Sequence, residues 1–390
     1  MSRSLTRSRR VRALAATALA VSLIGACGAG ERETPADPAA SAASGTGVQE
    51  AKDAMAGWAS APEWPEVTKI SSPVDLKGKK FTYVALGDQI PVIHGVGVGV
   101  QEALAAAGAE VKICDGKFNP TAVADCLKSA GDEQVDGVIS SFVDYQMAGP
   151  AFDALAAKGV KVIVGGVAPS GGREADANLA FYDNTARVSA LHEAMSQAAI
   201  AEGGEETNVL WVRLMDSTTT TGAGQKGVAK FKELCPSCGI AETEFTTANI
   251  DKLATSVSAA LVSHPDTNAI IVPVDSFVPP VLQGIQSAKF AGKVKVHSSS
   301  SDLAGLQRIK DGQQVTDLGT PVLFEGWKFA NAMVQLHAGQ EVEKGDEFVT
   351  RAFTKDNVGG LTLDDKTYLT DDWFGGGAYK KSFLTAWGVE

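Results

Sequence analysis

Residues 80–114 read KFTYVALGDQIPVIHGVGVGVQEALAAAGAEVKIC. KFTYVAL (80–86) is an apolar, β-rich run, GVGVGVQEALAAAGA (95–109) predicts a helix, and EVKIC (110–114) predicts a second strand. Strand, helix and strand within 35 residues make one βαβ unit, and the pattern continues outward from it. Helices are predicted at 120–130 and 146–159, and strands at 135–140 and 160–167. After residue 187 the rhythm restarts, with helices at 187–203, 224–234, 250–264 and 278–290 between strands at 207–215, 240–245, 268–274 and 293–297. A strand at 313–319 and a helix at 325–339 follow. Short apolar strands alternating with helices of ten to fifteen residues predict parallel sheets covered on both faces. Two such arrays in series predict an α/β protein of two doubly wound lobes, joined by a hinge, with ligand loops at the carboxyl ends of the strands.

Upstream, residues 1–12 hold five arginines and no acid, and residues 13–24 are apolar apart from Thr17 and Ser22. A basic start, a short apolar run and a small-residue exit describe a secretory signal peptide, and the run is too short to span a membrane. SRRVRAL (8–14) resembles a twin-arginine signal, but Arg12 stands where that pattern wants a hydrophobe, which favours general secretion. IGAC (24–27) resembles a bacterial lipobox, which implies cleavage before Cys27 and a lipid on its sulfur. Residues 28–46 are rich in Ala, Ser, Gly, Pro and Glu and hold no aromatic side chain, so the segment 27–72 is expected to act as a flexible, lipid-anchored linker. Trp58 and Trp64 sit within it, near prolines.

Loss of residues 1–26 removes five positive charges and takes the formal net charge from −11 to −16. So acidic a body is not built for nucleic acid or for anionic lipid surfaces. Four cysteines remain in an exported, oxidising setting. Cys114 with Cys126, and Cys235 with Cys238, each close a short loop and read as two disulfides. A redox-active pair at CPSC (235–238) would need a helix N-terminus to lower a thiol pKa, and the sequence puts the pair at a helix C-terminus instead. A four-cysteine zinc site lacks the spacing of a zinc knuckle.

Several placed segments together resemble the type I periplasmic solute-binding proteins, the ribose-binding and LacI-like group. VALGDQIPVIHGVGVGVQEALAAAGAEV (84–111) is similar to the first strand, ligand loop and first helix, with Pro91 in the loop and Gly99 in the helix. VDGVISSFVD (135–144) and GVKVIVGGV (159–167) are similar to the third and fourth strands, and YDN (182–184) to the crossover into the second lobe. HPDTNAIIVPVD (264–275) and RIKDGQQVTDLG (308–319) match two later strands. The resemblance implies a two-lobe receptor that closes on a small solute and hands it to an ABC transporter permease, with no enzymatic activity, cofactor or metal. Its domains would be 1–26 signal peptide, 27–72 linker, 73–182 plus 320–345 lobe one, and 183–319 plus 346–390 lobe two. It implies a monomer held on the outer side of the cell membrane by its lipid.

Carried over position by position, the family's sugar-reading set is mostly replaced. The aromatic pair becomes Val92 and Ile93, the charged pair after the fourth strand becomes Gly166 and Val167, and the second-lobe arginine falls near Gly224. Val274 precedes Asp275, HSSSSD (297–302) replaces an aromatic–Asp pair, and the hinge glutamine becomes Thr320. The expected ligand residues are therefore Gln89, Val92, Ile93, His94, Ser141, Asp144, Thr218, Thr219, Asp275, Ser299, Ser300 and Thr320. The expected solute is a sugar, a sugar-like molecule, or one less polar than ribose. Two other readings are weighed: a sensor that presents its closed form to a membrane signalling partner, and a dinucleotide-dependent enzyme. The second fails locally. GVGVGV (95–100) has GxGxG spacing, and eight residues separate it from the strand, whereas a phosphate-binding turn follows its strand at once.

Overall fold

The structure, a computed structural model, describes residues 38–389, so the signal peptide and Cys27 lie outside the described residues. The first sheet has the order β2-β1-β3-β4-β5, all parallel. Its strands are β1 (Lys80–Ala85), β2 (Glu110–Asp115), β3 (Gly137–Ser141), β4 (Lys161–Gly165) and β5 (Leu179–Tyr182). The second sheet has the order β11-β10-β9-β8-β6-β7, with only β11 antiparallel to its neighbour. It comprises β6 (Asn208–Leu214), β7 (Gly239–Phe245), β8 (Ala269–Ile271), β9 (Lys295–Ser300), β10 (Thr316–Gly319) and β11 (Arg351–Thr354). The two predicted parallel arrays are both present.

The helices are α1 (Pro38–Trp58), α2 (Pro91–Ala106), α3 (Pro120–Asp132), α4 (Tyr145–Ala157), α5 (Thr185–Gly203), α6 (Thr218–Leu234), α7 (Leu253–Ser263), α8 (Val278–Ser287), α9 (Leu303–Lys310) and α10 (Val322–His337). Two short turns, α11 (Lys355–Val358) and α12 (Asp365–Tyr368), precede α13 (Ala378–Trp387). Local chemistry sets several of their starts. Pro91 and Pro120 occupy first-turn positions where the missing N–H costs nothing. Asn119 caps α3, Ser217 and Thr220 form a capping box on α6, and Asp302 caps α9. Among the described residues no helix is long and apolar enough to cross a membrane.

In lobe one every strand but the edge strand β2 is buried on both faces. Phe81, Tyr83 and Ala85 join a core with α2 and α10, while Val84 and, just past the strand, Leu86 turn to α3 and α4. The glycines of GVGVGV serve that packing. A Cβ on Gly97 would stand 2.7 Å from the Tyr83 ring, and one on Gly99 would stand 2.5 Å from Leu323 O on α10. They are contact faces inside α2, past its N-terminus, and form no phosphate loop. Both expected disulfides are present, Cys114–Cys126 with Cα atoms 5.9 Å apart and Cys235–Cys238 with 5.3 Å.

Two expectations about the ends are corrected. Within the expected linker 27–72, residues 38–58 form helix α1, which packs on α5 and α6 of lobe two. Val48, Ala51, Met55 and Trp58 face that core, a spacing of three to four residues that puts them on one helix face. Gly47 lets the helix ride on the end of α6, because a Cβ there would fall 1.9 Å from Leu234 O. Ala-rich sequence that would not fold alone is ordered by burial against the neighbouring lobe. The second correction concerns the C-terminus, expected wholly in lobe two. Phe353, Val358, Trp373 and Phe374 do pack there with Leu306 and Ile309. The chain then returns to lobe one, where α13 packs on α10. Trp387 stacks on Trp327 at 5.7 Å and donates to Asn331 Oδ1 at 2.7 Å. Trp64 also packs on the body, 4.6 Å from Tyr379, with its Nε1 donating to Gly376 O.

Candidate ligand-binding site

A cavity of about 110 Å³ lies between the lobes. Its wall is drawn from the carboxyl ends of strands in both sheets, the edge where parallel α/β sheets bind ligands. Lobe one contributes Leu86 after β1, Phe118 after β2, Phe142 after β3, and Ile90, Val92 and Ile93 at the start of α2. Lobe two contributes Asp216 after β6, Thr247 after β7, Val274 and Phe277 after β8, and Ser299 and Ser300 at the end of β9. The first two turns of α5 add Arg187, Val188, Leu191 and His192, and Thr320 closes the wall at a crossing between lobes.

The backbone is strained at this edge. Phe118, Phe142 and Ser300 hold φ of 52°, 61° and 100°, the left-handed region that costs a non-glycine residue about 1 kcal/mol or more. Neighbouring glycines make room for the two rings. A Cβ on Gly87 would stand 2.1 Å from the Phe118 ring, and one on Gly166 would stand 2.9 Å from the Phe142 ring. Gly166, where the family pattern carries a charge, is thus the seat of Phe142. The disulfide Cys114–Cys126 ties the loop of Phe118 to α3 from both sides. Asp115 braces the same loop by accepting from the backbone N–H groups of Asp88 and Lys117.

The wall is mostly apolar, and three of its six hydroxyls, those of Ser217, Thr220 and Ser299, are committed to the protein. Ser299 Oγ donates to Pro273 O at 2.7 Å. Ser217 and Thr220 exchange the capping bonds of α6. Three ionisable side chains remain in the wall. Arg187 Nε lies 3.3 Å from Glu325 Oε2, and both side chains are buried. Burial raises the Glu325 pKa and Arg187 opposes the rise. His192 stacks on Trp211 and is pushed down to about 4 by burial, so it is neutral near pH 7. Asp216 accepts from Thr247 N at 2.9 Å through Oδ1, while its Oδ2 is buried with no hydrogen-bond partner. Burial raises the Asp216 pKa, and the donors of Thr247 oppose the rise. Among the described residues no cluster of three or more His, Cys, Asp or Glu side chains is placed to hold a metal ion.

Of the twelve residues expected from sequence, Val92, Ile93, Ser299, Ser300 and Thr320 stand in the wall. Gln89 is exposed, and His94 pairs with Asp88 at 3.0 Å outside it. Ser141 is fully buried at the end of β3. Asp144 and Thr218 meet each other across the lobes: Asp144 accepts from Thr218 N at 3.2 Å and from its Oγ1 at 3.0 Å. Thr219 Oγ1 donates to Gly166 O at 3.1 Å. These three side chains join the lobes beside the cavity. Asp275 is corrected from solute contact to internal brace. Wholly buried, it accepts from Asp302 N at 3.0 Å and Gln314 Nε2 at 3.2 Å, with Arg308 Nη2 3.4 Å away. Sequence reasoning missed Phe118, Phe142, Asp216 and Thr247, although each sits one to three residues past a strand end, a signal that was readable. The α5 face carried no such signal.

A family model described as a periplasmic binding protein domain matches residues 82–341. No curated protein sequence is a significant match. Among solved structures, the chain is similar in fold to a 5-methylthioribose transporter solute-binding protein from Thermotoga lettingae, in complex with 5-methylthioribose. That likeness has 14% identity and a TM-score of 0.66, covering 81% of this chain and 99% of that one. A Caulobacter myo-inositol binding protein bound to myo-inositol has 19% identity and a TM-score of 0.61, covering 75% and 98%. A ribose ABC transporter protein from Conexibacter woesei has 19% identity and a TM-score of 0.59, covering 73% and 95%.

Proposed function

This chain belongs to the periplasmic binding protein domain family, and we propose that it captures one small solute between its lobes and delivers it to an ABC transporter permease. The observation that carries this is the interlobe cavity built from strand ends of both sheets. A solute touching both lobes favours the closed arrangement by the affinity it has for that state alone. The wall supports a solute less polar than a free sugar, since Val92, Ile93 and Phe142 offer no hydrogen bonds to a ring of hydroxyls. 5-Methylthioribose, held by the Thermotoga relative, is a sugar with an apolar methylthio arm and illustrates that balance. Lipidation at Cys27 would hold the receptor on the outer face of the membrane, as a monomer within reach of its permease.

Thermal shift with 5-methylthioribose, ribose and myo-inositol tests the capture step. A solute at a hundred times its Kd should add about 2.7 kcal/mol of stability. X-ray scattering with and without that solute should show a more compact bound form, and identical profiles would refute closure. For the anchor, Cys27→Ser should move the protein from the membrane fraction to the soluble one. Retention on membranes would refute lipidation.

A further inference from the structure

We propose that the solute is a compact monocation, an apolar body with one ammonium group, and that Asp216 accepts that ammonium. The proposal deepens the capture function above and rests on it. Its first support is size: a space of about 110 Å³ is of the same order as the roughly 150 Å³ that accommodates the six heavy atoms of benzene in an engineered core. A small ring or a branched alkyl body fits such a space. The second support is polarity. Leu86, Val92, Ile93, Phe142, Val188 and Phe277 stand in the wall, and Ser217, Thr220 and Ser299 already use their hydroxyls within the protein. A polyol would lose its water and find at most the hydroxyls of Thr247, Ser300 and Thr320 among the wall's side-chain hydroxyls in return.

Charge is the third support. Arg187 is answered by Glu325, and His192 is neutral near pH 7. Asp216 has no such partner. Its Oδ2 is buried and accepts nothing, and no cation figures among the groups that set its ionisation. It directly precedes Ser217, the N-cap of α6, where the helix dipole helps keep a carboxylate ionised. The wall thus carries a carboxyl group with one oxygen that takes no donor from the protein, and burial raises its pKa, so a cationic donor beside it would favour the ionised form. A primary ammonium supplies both the charge and the hydrogen bond.

The test uses two rings of matched size, cyclopentylamine and cyclopentanol, and the larger polyol ribose on the full mature chain. Thermal shift and titration calorimetry should show the amine binding at least tenfold more tightly than the alcohol, and ribose more weakly than either. Asp216→Asn should lose at least tenfold in amine affinity while leaving the response to cyclopentanol unchanged. The amine–alcohol comparison on the unmodified chain stands even if that variant folds poorly. An absent amine response, or equal amine binding by Asp216→Asn, overturns the proposal. Tight ribose or 5-methylthioribose binding without amine binding also overturns it, yet leaves solute capture intact, so the two failures are distinguishable.

Discussion

Replacing Asp275 separates a brace from a ligand residue. Its carboxylate joins the segment after β8 to residues 300–302 after β9, so it holds together two stretches of the cavity wall. Asp275→Ala removes the acceptor for the buried Asp302 N, whereas Gln314 Nε2 keeps Thr316 O and Asp317 Oδ2, each at 3.2 Å. An unsatisfied buried donor costs about 1–3 kcal/mol. Arg308 keeps Gln314 Oε1 at 3.1 Å and Asp275 O at 3.0 Å, so its charge is not orphaned. Burial first, and Asp317 after it, hold the Asp275 pKa well above the carboxylate range, so loss of the side chain also removes that burial cost and the repulsion from Asp317. The balance is a loss of about 1–3 kcal/mol, set by the one donor left without a partner. Asp275→Asn keeps an acceptor and should lose about 1 kcal/mol. Urea unfolding followed by circular dichroism should show the midpoint falling with an unchanged slope. Calorimetry should show solute affinity in Asp275→Asn within a few-fold of the parent. Parent-like stability combined with a tenfold loss of affinity would refute the brace and return Asp275 to the solute.

Three further outcomes follow from the same contacts. Asp302, raised to about 6 chiefly by burial and then by Asp275, favours its protonated form in the fold. Its contribution is therefore present below pH 4 and lost as pH rises through 6, at most about 3 kcal/mol. Asp302→Asn keeps the cap on α9 and should flatten that decline in urea unfolding between pH 4 and 7; an unchanged pH slope would refute the assignment. Asp144→Ala removes two bonds to Thr218 that join the lobes, about 0.5–1.5 kcal/mol each, so the solute-free protein should scatter as a more open form and bind solute more weakly. Identical scattering and affinity would show that this contact does not favour closure. The double variant Cys114→Ser/Cys126→Ser should lose roughly 3 kcal/mol and loosen the loop of Phe118, read by unfolding and by hydrogen exchange at residues 115–119; parent-like values in both would refute the role of the bridge.

Much of this protein was legible in residue order. The alternation of apolar strands and helices from Lys80 to His337 is a local property, since side chains repeat every two residues on a strand and every 3.6 on a helix. The same local chemistry marked the disulfide loops and the strand ends that meet at the cavity. What tertiary structure decided was which side of each loop faces the other lobe. Asp275 and Asp216 both follow strand ends, yet one is enclosed by Arg308, Gln314 and Asp302 while the other stands in the cavity wall with one carboxylate oxygen that accepts no hydrogen bond. Asp302 and Arg308 lie 27 and 33 residues from Asp275 in the chain, beyond the reach of any local pattern. Helix α1 and helix α13 were settled in the same way. Their sequences permit a helix, but only the apolar surfaces of α5, α6 and α10 select it and fix the lobe it joins. Glycine shows the division most plainly: residue order places Gly87 and Gly166 beside strands, and only the folded chain sets Phe118 and Phe142 in the space those glycines leave open.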